Sequence, residues 1–396
     1  MRKISLILVI FFSLASATRS IAQIEAVISD VTLSYLFGKS LTINASFIDP
    51  QPDSSFTLVL RPEGQPSRQI KLSPDDQGKF SIIYDLALDP LIPFARIYYW
   101  FEVEKVAGST STSPSFWFDY VDNRFSWKSN TTNLFQISWV SGDSSYGQQL
   151  QDIAREGLIK ATQILPIAPS LPIRIYVYPD VESLMQGLQN PPQAWTAGHT
   201  SPEIGVILVS NGNQTQDLLE IERQIPHELM HILEYQITGD QIKNSPEWLN
   251  EGLASYSELY PDPDQERILN EAFSQKTLLS FESLCSGFSQ DAKTASISYA
   301  QSSAFIKYIY GKYGAEVFPK LLENSRSGLT CSNAVQAVFQ IPLAQLQKDW
   351  EQAQFSQPNA TSSFEQTIPY AAILGAILFL GILLWIRSRS KKKIES

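Results

Sequence analysis

Cysteine, histidine and methionine are all scarce: the 396-residue sequence holds only 2, 3 and 3 of them. Two cysteines exclude a disulfide-dense miniprotein, and without a Cys-x-x-Cys spacing they argue against a cysteine-built metal site. Charged residues are few as well, at 18% against 43% hydrophobic. That balance excludes wholesale disorder, and no Gly-x-y period is present to suggest a collagen-like chain. A formal net charge of −10 argues against a nucleic-acid partner, which would need a basic face. The length suggests two or three domains of about 150 residues. Long apolar runs occur at the two ends alone, and both ends read as something other than a globular fold.

Met1-Arg2-Lys3 precedes an apolar run from Ile4 to about Leu14, then small residues at Ala15-Ser16-Ala17 and Ser20-Ile21-Ala22. A basic start, a short apolar stretch and a small-x-small site predict a secretory signal peptide over residues 1–22. At the other end, Ile368 to Ile386 is 19 residues without a charge, followed by Arg387, Arg389, Lys391, Lys392 and Lys393. Nineteen helical residues cover about 28 Å, which predicts a transmembrane helix over 368–386. A basic cytoplasmic tail, 387–396, would follow it and leave the bulk of the chain outside the cell membrane. Without the charges of these two ends the remaining chain has a net charge of −17, a solvated acidic surface. Cys285 and Cys331 lie in that external part, where an even pair permits one disulfide or two buried thiols. Asn44, Asn130, Asn213 and Asn359 head N-x-S/T sequons.

Within the external part, residues 23–125 read as a β-sandwich of the Ig/Fn3-like kind. Phe56 to Leu60 is a β-prone run, and Ile97, Tyr99, Phe101 and Val103 share one face of a period-2 segment. Turn clusters separate the strands, such as Pro74-Asp75-Asp76-Gln77-Gly78. No catalytic constellation falls in this segment, which reads as a spacer or binding module with no identified partner. From residue 130 to 355 strands come first and helices later, which predicts an α+β domain. Leu218 onward is helical throughout, and 356–367 is a polar linker.

Two of the three histidines fall in His227-Glu228-Leu229-Met230-His231. On a helix, i and i+4 lie one turn apart on one face, so both imidazoles can reach one metal ion. Pro226 suits the first position of that helix, and Ile232, Leu233 and Tyr235 continue its apolar stripe. Glu228, between the two ligands, is placed to take a proton from activated water. A tetrahedral catalytic zinc site needs a third protein ligand and an open position. Asp240, Asp262 and Asp264 are in range, but Glu251 has the better context. Gly239 closes the first helix, and Ser245 as N-cap with Pro246 at the first position opens a second, returning Glu251 towards the imidazoles.

His227–His231 followed by Trp248-Leu249-Asn250-Glu251-Gly252-Leu253-Ala254 resembles the gluzincin metallopeptidases of the peptidase MA clan. The second segment is similar to the Trp-Leu-Asn-Glu-Gly-Phe-Ala of zinc aminopeptidases. The resemblance implies a thermolysin-like catalytic domain holding one zinc ion per chain. His227, His231 and Glu251 would be the ligands and Glu228 the general base. It also implies an edge strand ahead of the active-site helix, for which Gly205–Ser210 is the candidate, pairing with an extended peptide substrate. Ser298-Tyr299-Ala300-Gln301-Ser302, opening a helix over 303–310, resembles the segment whose tyrosine supplies a transition-state hydroxyl. Core packing is the other reading of Tyr299. His199, just before the edge-strand candidate, is either a cleft residue or a solvated loop histidine. Aminopeptidases of this kind carry a Gly-x-Met-Glu-Asn strand whose glutamate holds the free amine. Gly205–Ser210 has no such carboxylate, which favours an endopeptidase.

The expectation is therefore a multidomain protein: signal peptide, antiparallel β-sandwich, α+β thermolysin-like metallopeptidase domain and one C-terminal membrane helix. The rival is a membrane-tethered binding or adhesion protein with an inactive peptidase-like scaffold. A zinc hydrolase acting on a non-peptide bond shares the same site.

Overall fold

The computed structural model describes residues 27–355 except 49, 52, 106–107, 171, 189–197 and 212–217. The described residues fall in two compact units that meet in sequence between Phe125 and Ser126.

In the first unit β1 (Ile28–Leu36), β2 (Ser40–Phe47) and β5 (Lys79–Asp85) form one antiparallel sheet. A second, also antiparallel, orders β4 (Arg68–Leu72), β3 (Ser55–Pro62), β6 (Arg96–Glu104) and β7 (Thr110–Thr112), with β8 (Phe116–Asp119) paired to β6. Alternation drives both. Leu41, Ile43, Ala45 and Phe47 of β2 are buried on one face, as are Ile97, Tyr99, Phe101 and Val103 of β6. The sheets close over an aromatic core in which Phe47 meets Phe56 at 4.4 Å and Phe80 meets Phe101 at 5.6 Å.

The second unit begins with β9 (Lys128–Thr131) and β10 (Phe135–Trp139), then α1 (Ser144–Ile164), β11 (Ile173–Tyr178) and α2 (Val181–Gly187). β12 (Gly198–Ser201) and β13 (Val206–Ser210) complete a five-stranded sheet in the order β12-β13-β11-β10-β9. β10, β11 and β13 run parallel, and β9 and β12 are antiparallel to their neighbours. The parallel core strands are near-continuous apolar runs buried on both faces, as Ile173–Tyr178 and Val206–Ser210 show. Gly205–Ser210 is therefore not the edge strand. Among the described residues β12 is the edge on that side, because this short segment pairs antiparallel with β13, and β9 is the opposite edge.

Helices follow: α3 (Leu218–Thr238), α4 (Glu247–Ser257), α5 (Gln265–Gln275), α6 (Ala292–Tyr313), α7 (Val317–Arg326), α8 (Cys331–Phe339) and α9 (Leu343–Phe355). One core joins them to the sheet, and within it Phe281 and Phe305 stack on each other and each meets both Trp248 and Trp350. Cys285 and Cys331 are disulfide-bonded, and Trp248 Nε1 donates to Cys331 Sγ at 3.3 Å.

The membrane helix expected as part of the fold is corrected. Among the described residues no helix is long and apolar enough to cross a membrane. The long ones carry charges along their length, as Lys293, Lys307 and Lys312 do on α6. Residues 368–386, on which that expectation rested, lie outside the described residues, as do the signal segment 1–22, the linker 356–367 and the tail 387–396. The fold is thus a unit of two antiparallel sheets followed by a sheet-and-helix peptidase-like unit.

Candidate active site

Helix α3 runs through Pro226 rather than starting there, two turns longer than the proline suggested. Proline has no N–H for the carbonyl one turn back, that of Glu222. Leu259 N–H supplies the missing bond to Glu222 O at 3.0 Å, and Ile221 and Ile225 bury the extra turns. His227 and His231 then project from one face with ring centroids 5.1 Å apart. After α3 ends at Thr238, a 3-10 turn, Gly239–Asn244, reverses the chain into α4. That helix starts at Glu247 with Pro246 as its cap; Ser245 makes no capping bond, since it is buried outside the first turn.

The close approach of α4 to α6 brings Glu251 into place. A Cβ on Gly252 would lie 2.7 Å from Ile306 Cγ1 and 2.9 Å from Ser302 O, so glycine alone fits there. Glu251 Oε2 is 3.4 Å from His227 Nε2, and its Oε1 is 3.9 Å from His231 Nε2. All three donor atoms lie within 4.8 Å of one another. Ligands about 2.05 Å from a tetrahedral ion stand about 3.3 Å apart, so this donor set fits a zinc-sized cation.

The other ring nitrogens are engaged by carboxylates that the motif does not contain. His231 Nδ1 is 2.8 Å from Glu234 Oε2, and His227 Nδ1 is 3.3 Å from Glu258 Oε1. Such partners favour the tautomer with the proton on Nδ1, which would leave the Nε2 lone pairs of His227 and His231 free to hold a cation. Burial disfavours a charged imidazole, but the bonds from Glu251 and Glu258 outweigh it and hold His227 well above its usual range. Glu234 likewise outweighs burial and raises His231 to about 9. Burial pushes Glu234 itself up to about 7. For Glu251 burial is outweighed in the other direction: the bond from His227 and the field of His231 keep its carboxylate low. Glu234, Glu251 and Glu258 thus give the two imidazoles an anionic surrounding that favours positive charge between them. Arg223 braces Glu258 at 3.5 Å and also reaches Glu220 and Asp262.

Tyr299 lies two turns into α6, because that helix starts at Ala292 with Asp291 as cap rather than near residue 303. Burial and the Glu251 carboxylate raise its pKa, so the phenol keeps its proton. It lines, with His199, Thr200, Glu228 and the three-residue cluster, one cavity of about 600 Å³. His199 sits on β12, and burial lowers its pKa, so its ring is neutral. Glu228 is buried beneath the same strand, with Thr200 Oγ1 donating to its Oε2 at 2.5 Å.

Sequence reasoning named Glu228, Glu251 and Tyr299 but missed Glu234, Glu258 and Thr200. Spacing carried a signal for two of them: Glu234 follows His231 by three residues, and Glu258 follows Glu251 by seven, about two helical turns. Thr200 depends on the fold-back of β12, for which no local pattern exists.

Two imidazoles from one helix, a carboxylate from the next and a glutamate between the imidazoles define a metallopeptidase-like protein. The chain belongs to the peptidase MA superfamily, whose family model matches residues 153–356. Among solved structures it is similar to an M1 zinc metallopeptidase from Deinococcus radiodurans: 12% identity, TM-score 0.33, covering 83% of this chain and 94% of that one. It is also similar to an aminopeptidase N family protein from Idiomarina loihiensis: 10% identity, TM-score 0.37, covering 85% of this chain and 77% of that one. No curated protein matches the sequence.

Proposed function

We propose that the protein is an extracytoplasmic zinc endopeptidase. The observation that carries the reading is the convergence of His227 Nε2, His231 Nε2 and Glu251 beside a buried Glu228. Two imidazoles and one carboxylate are a donor set that would suit zinc. Bound there, the ion would supply the Lewis acidity that makes water nucleophilic near neutral pH and polarises the scissile carbonyl. Glu228 takes the water proton on its carboxylate and passes it to the departing amine, so the base of the first step is the acid of the second. The Tyr299 hydroxyl, held protonated, donates to the developing oxyanion. An endopeptidase is favoured because neither β12 nor β13 carries a carboxylate that would hold a substrate amine. The disulfide supports an oxidising compartment.

The test pairs metal content with hydrolysis of an unstructured polypeptide. The expected result is about one zinc per chain and internal cleavage that chelation abolishes. Glu228→Gln should lower kcat at least about 1,000-fold with zinc still bound. Full activity in that variant, or a protein that takes up no metal, overturns the reading.

A further inference from the structure

Among the described residues β12 is one edge of its sheet, and it packs against the helix that carries the histidines. Its register on β13 pairs Gly198 with Val209 and Thr200 with Ile207. Positions i and i+2 of a strand share a face, so Gly198 and Thr200 act together. Both meet Glu228. Thr200 Oγ1 is 2.5 Å from Glu228 Oε2 and 3.2 Å from Glu228 O. A hydroxyl has one proton to donate, and the shorter, charge-assisted bond to the carboxylate takes it. On the other side, a Cβ at Gly198 would fall 2.6 Å from Glu228 Oε1 and 3.0 Å from Cγ. The strand therefore brackets both carboxylate oxygens, one by a hydrogen bond and one by the absence of a side chain. A slip of one residue would bring His199 and Ser201 to that face and remove both features.

We propose that Thr200 is a positioning residue of the hydrolytic site: its hydroxyl holds Glu228 Oε2 and leaves Oε1 to carry the proton. The proposal rests on the reading of Glu228 as general base. Thr200 exchanges no proton itself, and its bond persists while Glu228 Oε1 is protonated and then deprotonated. Because β13 sets the register of β12, the sheet contributes to the orientation of the base, alongside the helix that carries Glu228 and both histidines.

The experiment uses the full chain loaded with zinc, a fluorogenic peptide substrate and two substitutions. Thr200→Val keeps the shape and removes the donor; Thr200→Ser keeps the donor. Loss of one charge-assisted hydrogen bond predicts a kcat lower by about 10- to 100-fold in Thr200→Val, with KM changed by less than about twofold. Zinc stoichiometry stays at that of the unsubstituted protein, and Thr200→Ser recovers most of kcat. In a crystal structure of Thr200→Val the Glu228 carboxylate leaves its place beneath β12. Unchanged kcat in Thr200→Val, while Glu228→Gln is inactive, overturns the role of Thr200 and leaves the peptidase reading standing. If the unsubstituted zinc-loaded protein cleaves nothing, the peptidase reading falls. The crystal structure then decides Thr200 alone, and a Glu228 that has not moved overturns its holding role.

Discussion

Each imidazole of the cluster presents Nε2 to the site because its Nδ1 is already bonded to a carboxylate, Glu258 for His227 and Glu234 for His231. Removing such a partner typically weakens metal binding about 10- to 100-fold. Glu258→Ala should show a loss of that size in a chelator competition, with Glu258→Gln milder because the amide oxygen can still accept from Nδ1. The same pairs set a pH dependence. His231 is raised to about 9 and His227 well above its usual value, so both rings hold protons at neutral pH when no metal is bound. A cation must displace those protons. Affinity therefore rises with pH, by about one log unit per pH unit for each imidazole that must lose a proton. Chelator competition at pH 6, 7 and 8 should give a slope between one and two; a flat profile contradicts the protonated rings. Histidines and Glu228 were legible in the sequence because a fixed i, i+4 spacing maps directly onto a helix face. Glu258 was not, since its meeting with His227 depends on how two helices cross.

Helix α4 supplies both Glu251 and the glycine that lets it approach α6. Gly252→Ala places a methyl group 2.9 Å from a main-chain oxygen, which helices cannot relieve by a rotamer change. Overpacking of this kind costs about 1–3 kcal/mol. The variant should melt several degrees lower and, since α4 must shift, bind zinc more weakly; an unchanged melting temperature would mean that α4 and α6 yield without penalty. Element boundaries show where local signals mislead. Pro226 and Ser245-Pro246 are ordinary helix-start signals, yet α3 begins eight residues before Pro226 and α4 begins after Pro246. In the first case burial of Ile221 and the Leu259 bond to Glu222 O outweigh the lost proline donor. Strand β13 misled for a related reason. Its apolar run is what a strand paired on both sides looks like, and the true edge, Gly198–Ser201, is too short and polar to announce itself.

On the scale of the whole molecule, both the His227–His231–Glu251 cluster and the disulfide belong to the second unit. The disulfide closes 46 residues of sequence, worth about 4 kcal/mol in the chain-entropy account. It also touches the ligand helix, since Trp248 of α4 donates to Cys331 Sγ. A bound ion at about 1,000 times its Kd adds about 4 kcal/mol by linkage. Both features lie in the second unit, because residues 27–125 contain no cysteine and none of the three cluster residues. Calorimetry of the full chain should therefore show a second-unit transition that falls on the order of 10 °C with chelator and by a similar amount in Cys285→Ser/Cys331→Ser. A transition belonging to the two-sheet unit should stay where it is under both treatments. Because Trp248 links the disulfide to α4, the double variant should also bind zinc more weakly than the native protein. If zinc affinity is unchanged while stability falls, the disulfide braces the fold without reaching the ligand helix.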